Sequence, residues 1–351
     1  MQAPAKTQAD LLDICPEKDK IHSLGDTMMS EEKKYLFGPV PSRRLGLSLG
    51  VDIVPFKTCT LDCVYCQLGK TTEKTIERRE YVPIEPVLAE LKDKLAEPLE
   101  ADFITISGSG EPTLNSRLGE LVDEIKKITD IPLAILTNGT LLYRRDVRAD
   151  CAAADLVLPS LDAGDQQTFQ RLNRPHSIIS IEKVIEGLVT FRREFAGPIW
   201  LEVFLVEGAN TGAEQIAKIK NAITRICPDK VQLNTAVRPT AEAGVKRIKT
   251  QSLKAIADQL GENCEVVADF SLTRRRCNVT GADEEHQVAM NRKMQTLLSM
   301  LKRRPCCLND ICEGLGLHRN DALKYIGHLQ RGRLITSEQR NGTIFFSAKG
   351  R

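Results

Sequence analysis

With 351 residues, 42% of them hydrophobic and 27% charged, the chain has an ordinary globular composition and enough core for one large domain and one small one. No apolar run approaches the roughly 20 residues of a membrane span, and the polar N-terminus lacks a signal-peptide core, so no membrane is expected and the expected location is the cytoplasm. Thiols stay reduced there, and closely spaced cysteines then read as metal ligands rather than disulfides. The net charge of +2 is unevenly spread: residues 286–351 carry twelve Lys/Arg against four Asp/Glu, a net of +8, which leaves −6 for the rest.

Residues 1–35 are polar without a sustained period and predict a mobile tail in which Cys15 and His22 have no neighbours that would complete a ligand set. Next comes Gly38-Pro39-Val40-Pro41-Ser42-Arg43-Arg44-Leu45-Gly46, whose prolines and glycines predict a fixed loop. Arg43 and Arg44 read either as a solvated surface pair or as guanidinium forks for an anionic part of a substrate or cofactor.

The apolar run Val51-Asp52-Ile53-Val54 predicts a buried strand, and the loop after it holds Cys59, Cys63 and Cys66 at the spacing Cys-x3-Cys-x2-Cys. Three thiolates on a strand-end loop predict a metal site. Zinc would need a fourth ligand, yet no Cys or His follows within the next eighty residues. An iron–sulfur cubane fits better, because three cysteines leave one of its four irons open to a small molecule.

Beyond this loop the text alternates. Strands are expected at about 48–54, 101–107, 132–137, 155–160, 199–206 and 230–235, and helices at about 84–96, 116–128, 143–152, 180–195 and 213–226. Apolar rather than alternating strands predict an α/β fold with a parallel sheet covered on its faces, either a partial TIM-type barrel or a doubly wound open sheet. Both architectures put functional residues at the carboxyl ends of the strands. Polar residues stand there in order: Gly108, Ser109, Gly110 and Glu111, then Asn138, Ser160 with Asp162, and Asn234, while the strand at 199–206 carries Glu202 and ends near Glu207 to Asn210. Cys151 and Cys227 read as packing residues at helix ends, while Cys264 and Cys277 are loosely spaced candidates for a second cluster.

A helix at about 251–260 and a strand at about 264–268 complete a domain over 36–269, followed by a charged linker over 270–285 with Arg274-Arg275-Arg276. Residues 286–351 are organised differently, with helices expected at about 288–302, 308–314 and 319–330. Arg340-Asn341-Gly342 between two apolar runs is an Asn-Gly hairpin signal. Three helices and a hairpin predict a winged helix-turn-helix. On a nucleic-acid reading its third helix presents His318, Arg319, Asn320 and Lys324, and its wing presents Arg340 and Asn341. On the alternative reading it is a peptide-reading, dimerising or regulatory module. Helical periodicity turns Cys307 and Cys312 toward an apolar face rather than into a ligand set.

The cysteine spacing, with Tyr65 just before the third Cys, resembles the radical S-adenosylmethionine (radical SAM) superfamily over residues 37–238. Gly38 to Gly46, Cys63-Val64-Tyr65-Cys66-Gln67-Leu68-Gly69 and Gly110-Glu111-Pro112-Thr113-Leu114 resemble a group named after the wyosine-synthesis enzymes of tRNA. The second cysteine set of those enzymes is missing, since Cys15 stands alone. The resemblance implies a partial (β/α)6 barrel with a [4Fe–4S] cluster on Cys59, Cys63 and Cys66. It also implies S-adenosylmethionine bound near Tyr65, Gly108, Gly110, Glu111, Asn138, Ser160, Asp162, Glu202 and Asn234. The Gly108-Ser109-Gly110 stretch would offer bare backbone to the methionine amino group, and Tyr65 would lie against the adenine or shield the cluster. The implied chemistry is reductive cleavage of the cofactor to a 5′-deoxyadenosyl radical, with flavodoxin or ferredoxin as electron donor and tRNA, another nucleic acid, a peptide or a small molecule as second substrate.

Overall fold

The computed structural model describes residues 35–267, 283–317, 319–340 and 342–349. The expected tail up to residue 34, all but the last residues of the expected linker, and Cys277, His318 and Asn341 lie outside the described residues. The chain opens with β1 (Leu36–Ser42) and β2 (Gly46–Val51), an antiparallel pair where the proline-rich text predicts a loop. Prolines are tolerated because β1 is the edge of its sheet, where outward backbone positions need no donor. A register shift between Phe37 and Val40 absorbs the irregularity, and the Phe37 ring covers Gly50, where any Cβ would collide with it.

Two short segments, β3 (Thr58–Cys59) and β4 (Glu73–Lys74), pair in parallel and brace the cysteine loop. Then come α1 (Ile84–Leu95), β5 (Phe103–Ile106), α2 (Leu118–Ile128), β6 (Leu133–Thr137), α3 (Arg145–Cys151) and β7 (Leu156–Pro159). They are followed by α4 (Gln166–Asn173), α5 (Ile181–Glu194), β8 (Trp200–Leu205), α6 (Ala213–Ile226), β9 (Lys230–Thr235), α7 (Thr250–Leu260) and β10 (Cys264–Val266). The sequence does not predict α4: Phe169 and Leu172 are its only large apolar residues, too few to set a period, although Asp165 caps it by accepting from the Thr168 N–H.

Strands β2, β5, β6 and β7 are parallel neighbours in chain order, as are β8, β9 and β10. Single parallel bridges, Val157 to Ile199 and Ser160 to Glu202, join the two sets across β7 and β8. Crossover helices impose this parallel order, and every residue of β7 is buried, as a strand covered on both faces requires. Each fully buried Leu, Ile or Val contributes roughly 1.5–3 kcal/mol. The strand ends that carry the polar residues therefore share one rim.

The remainder forms α8 (Asp283–Arg303), β11 (Cys306–Cys307), α9 (Leu308–Leu315), α10 (Arg319–Arg331), β12 (Ile335–Arg340) and β13 (Thr343–Ala348), its sheet ordered β11-β13-β12. Leu297, Leu301, Cys306, Ile311, Ile326 and Phe346 make its core, and Val40 of β1 is buried in the same cluster with Phe37 against it. Two ion pairs reinforce that seam, Arg238 to Asp310 at 3.0 Å and Arg303 to Asp52 at 2.7 Å. Cys307 precedes α9 with its N–H on Asp310 Oδ2 at 3.1 Å, and Cys312 packs half-buried against the core.

Candidate metal centre

The cysteine loop is held from three sides. Lys57 N donates to Ser109 O at 2.7 Å and Glu111 N to Thr58 O at 3.0 Å, tying the loop to the rim after β5. Thr75 N donates to Cys59 O at 3.0 Å through the β3–β4 brace. At the end of α4, Asp62 N donates to Asn173 O and Val64 N to Leu172 O, at 3.0 and 2.9 Å. A loop with its backbone bonded in so many places presents its thiols in a fixed arrangement.

Each thiol has a side-chain N–H donor of its own. Asn138 Nδ2 lies 3.5 Å from Cys59 Sγ, Asn173 Nδ2 3.4 Å from Cys63 Sγ, and Lys57 Nζ 3.2 Å from Cys66 Sγ. Burial and the nearby Glu111 carboxyl push the Cys59 thiol up to about 12. Burial and Asp162 push Cys63 well above its ordinary value. Two half-buried thiols of that kind ionise most readily with a cation to offset the charge, as iron would supply. Among the described residues no set of three His, Cys, Asp or Glu side chains is arranged to hold a single ion. Three thiols on one fixed loop, each with an N–H donor, fit a three-cysteine cubane.

The rim residues fall into groups. Tyr65, Asn138, Ser160 and Asp162 converge on a small cavity beside Cys63 that Asn173 also lines. The Tyr65 ring stacks on Phe204 with centroids 4.0 Å apart, and its hydroxyl donates to Asp162. Asp162 also accepts from Asn173 Nδ2 and Phe204 N, both at 2.7 Å, while burial raises its carboxyl to about 6. Tyr65 is thereby held as a wall of the centre.

Glu111 is turned inward. Its carboxylate accepts from the Thr113 N–H at 3.1 Å, from the Thr113 and Thr137 hydroxyls and from the Asn138 N–H at 2.7 Å, which couples the ends of β5 and β6. The glycines beside it also serve the fold: a Cβ on Gly110 would strike the Thr58 carbonyl, and one on Gly108 the Asp52 carboxylate. Bare backbone is needed there for the approach of Thr58, where the sequence predicts an approaching cofactor.

Glu202 and Asn234 lie apart from the cavity. Arg44 Nη1 donates to Glu202 at 2.8 Å, Arg43 Nη1 to Asn234 Oδ1 at 3.0 Å, and Asn234 Nδ2 to Glu202 at 2.8 Å. The arginine pair is turned into the protein, and burial with Arg238 nearby lowers Arg43 to about 9. Sequence reasoning misses Lys57, Asn173 and Asp52. The only signals were the adjacency of Lys57 to the cysteines and the Asn173-Arg174-Pro175 run, which reads as a helix end.

Arg319, Lys324 and Arg340, expected on one face, are not brought to one depression. Lys324 is exposed, pairs with Asp321 at 3.2 Å, and lines a depression with Tyr325, His328 and Arg331 on α10, whereas Arg319 stands exposed at the start of that helix. Arg340 instead lines a cleft of about 400 Å³ with Arg238, Thr240, Arg247, Glu338 and Thr343. The wall opposite β12 and β13 is the loop 236–247, which is itself bonded to the cysteine loop, Ala241 N to Cys66 O at 2.9 Å and Glu242 N to Val64 O at 3.0 Å. Among the described residues no helix is long and apolar enough to cross a membrane.

Comparison with known proteins agrees with this geometry. A sequence model of the radical SAM superfamily matches residues 53–219. A protein named GTPase Obg from Brachyspira hyodysenteriae is 43% identical over 236 residues, which are 67% of this chain but only 35% of that protein. A UPF0026 protein of Methanocaldococcus jannaschii is 38% identical over 63% of this chain and 69% of its own length. One of Helicobacter pylori strain J99 is 36% identical over 92% of this chain and 100% of its own length. Cysteine loop, parallel rim and these likenesses together make the chain a member of the radical SAM superfamily and, within it, of the UPF0026 proteins.

Proposed function

We propose that this radical SAM enzyme acts on a nucleic acid, tRNA first among the candidates, held in the cleft between the loop 236–247 and the β12–β13 hairpin. On this reading the parallel array is a partial (β/α)6 barrel and residues 286–351 are a winged helix whose wing, rather than its third helix, meets the substrate. The carrying observation is that Arg247 and Arg340 line, with Glu338, a cleft whose wall is hydrogen-bonded to the carbonyls of Val64 and Cys66. Guanidinium groups match phosphate bidentately, and a phosphodiester seated there would rest on the loop that is bonded to the cysteine loop.

A bound cluster with S-adenosylmethionine supplies reductive cleavage at the sulfonium and removal of a hydrogen atom from the substrate. Cys59, Cys63 and Cys66 hold the metal, and a one-electron donor of the flavodoxin or ferredoxin kind charges it. Tyr65, stacked on Phe204, excludes water from one side. Asp162 fixes Tyr65 and Asn173, and the network of Arg43, Arg44, Glu202 and Asn234 braces the ends of β8 and β9 against the first turn.

Fluorescence anisotropy with tRNA across a salt series tests the reading. Log affinity should fall with log salt at roughly −0.7 per phosphate contact on single-stranded segments. An Arg247→Gln/Arg340→Gln double variant should flatten that slope, and Arg319→Gln/Lys324→Gln should not. Equal slopes for wild type and the cleft variant would sink the cleft; sensitivity confined to Arg319 and Lys324 would return the interface to α10. A second reading has one observation in its favour: β12 is an edge strand of its sheet with exposed positions, which suits addition of an extended peptide. Salt-insensitive capture of a peptide would support it.

A further inference from the structure

Lys57 combines three features seldom found together. Its backbone is left-handed at φ 62° although it is not glycine, the residue is 3% exposed, and its ammonium lies 3.2 Å from Cys66 Sγ. The left-handed conformation costs roughly 1–2 kcal/mol, and burying an ammonium costs more unless a negative partner compensates. The backbone is forced by its bonds: the N–H is fixed on Ser109 O, and the carbonyl accepts from Thr72 N and Glu73 N at 3.1 and 3.2 Å. That accounts for the φ and leaves the buried charge to be explained.

Among the described residues no carboxylate forms an ion pair with Lys57, so its counter-charge is the Cys66 sulfur. The other two sulfurs receive neutral amides, each fixed from behind. Asn138 is held by its bonds to Thr60 and Thr140, and Asn173 by Asp162. The set is graded, with two neutral N–H donors and one full positive charge. Adding an electron to a cluster makes it more negative, so a nearby buried cation favours the reduced form more strongly than an amide does.

We propose that Lys57 is a positioning residue that acts through Cys66 to raise the reduction potential of the cluster, bringing its one-electron reduction within reach of the physiological donor. The step is electron transfer alone: the donor loses one electron and the cluster gains one. The inference rests on the radical SAM reading, which iron content and cluster signal of the wild type test separately.

The experiment is a redox titration of the anaerobically reconstituted full chain, followed by the electron paramagnetic resonance of the reduced cluster, with iron and sulfide measured alongside. Lys57→Met keeps the volume and removes the charge, Lys57→Arg keeps the charge and a donor, and Lys57→Gln keeps a donor only. All three are non-glycine, so the backbone cost is common to them. Lys57→Met should keep its iron and, at a fixed solution potential, show a reduced-to-oxidised ratio lower by about tenfold, equivalent to a midpoint about 59 mV more negative for one electron. Lys57→Arg should stay near wild type, and Lys57→Gln should fall with or slightly above Met. An iron-loaded Met variant at the wild-type potential overturns the proposal, as does an Arg variant shifted as far as Met. Should the Met variant hold no iron, Lys57→Gln decides: a wild-type potential overturns the role of the charge, and a lowered one upholds it. A wild type without a reducible cluster overturns the radical SAM reading together with this inference.

Discussion

Arg303 at the end of α8 donates to Asp52 at the end of β2, and Asp52 in turn accepts from the Ser109 backbone N–H at 3.1 Å and from its hydroxyl. A residue of the C-terminal unit thus holds the rim loop that packs on the cysteine loop. The guanidinium also lies 3.7 Å over the Phe37 ring. Arg303→Ala should destabilise the protein by about 1–3 kcal/mol, through the lost charge-assisted bond and the cation–π contact, and Arg303→Lys should recover part of that loss. Thermal unfolding measures it, and an unchanged midpoint for the alanine variant would show that the pair contributes nothing.

Truncation before His286 should cost stability as well as remove a module. Val40 and Phe37 pack in the core of the C-terminal unit, and Asp52 and Arg238 lose their ion pairs with Arg303 and Asp310. Exposing those two side chains alone costs up to roughly 1.5–3 kcal/mol each. Because the cysteine loop is fixed by elements before residue 268, the truncated chain should still take up iron while melting lower and aggregating more. A truncated chain as stable and monomeric as the whole would refute the shared core.

Gly110→Val should lower iron content. Any side chain there displaces the Thr58 carbonyl, one residue from Cys59, so the damage reaches the metal ligands as well as any cofactor contact. Iron and sulfide analysis after reconstitution reads this out, with the Cys59→Ala/Cys63→Ala/Cys66→Ala variant as the iron-free reference. A Gly110→Val protein with a full iron complement would mean that the loop yields without cost.

The Arg238–Asp310 pair should leave an acid signature. Burial alone would raise the Asp310 carboxyl, but Arg238 outweighs it and holds the group below its ordinary 3.8. A depressed folded-state value means that the stabilisation is present above pH 3.8 and is lost as pH falls through the lower folded value. Asp310→Asn should therefore flatten the acid limb of stability against pH. At neutral pH it should cost about 3–5 kcal/mol, because Arg238 is left buried without its counter-charge. Thermal unfolding at successive pH values compares the two proteins, and parallel curves would remove Asp310 from the account.

Much of the fold is legible in the text because it rests on local repetition. Six apolar runs separated by helical periods predict β2 and β5 through β9 to within a few residues, and the hairpin signal predicts the antiparallel pairing of β12 with β13. The edge strand β1 escapes because prolines conceal a strand whose pairing with β2 only the folded sheet shows, and α4 escapes because its eight residues hold too few apolar positions to reveal a period. Among the site residues, the cysteines are legible from spacing alone, since ligands on one loop must be near in sequence to be near in space.

By itself, then, the sequence determined the cysteine loop, the order of the strands and the hairpin, all consequences of short-range spacing and of side-chain alternation between core and solvent. Only the tertiary structure decided which groups face the sulfurs. Lys57 is next to the loop, but Asn138 and Asn173 arrive from 79 and 110 residues away, measured from the cysteines they meet. It also decided that Arg340 belongs to a cleft with Arg238 and Arg247, that Glu111 points inward, and that Arg303 reaches Asp52 across 251 residues. The physical reason is common to all of them: charge and hydrogen bonding act over a few ångströms, and which side chains come that close is fixed by how the strands and helices pack.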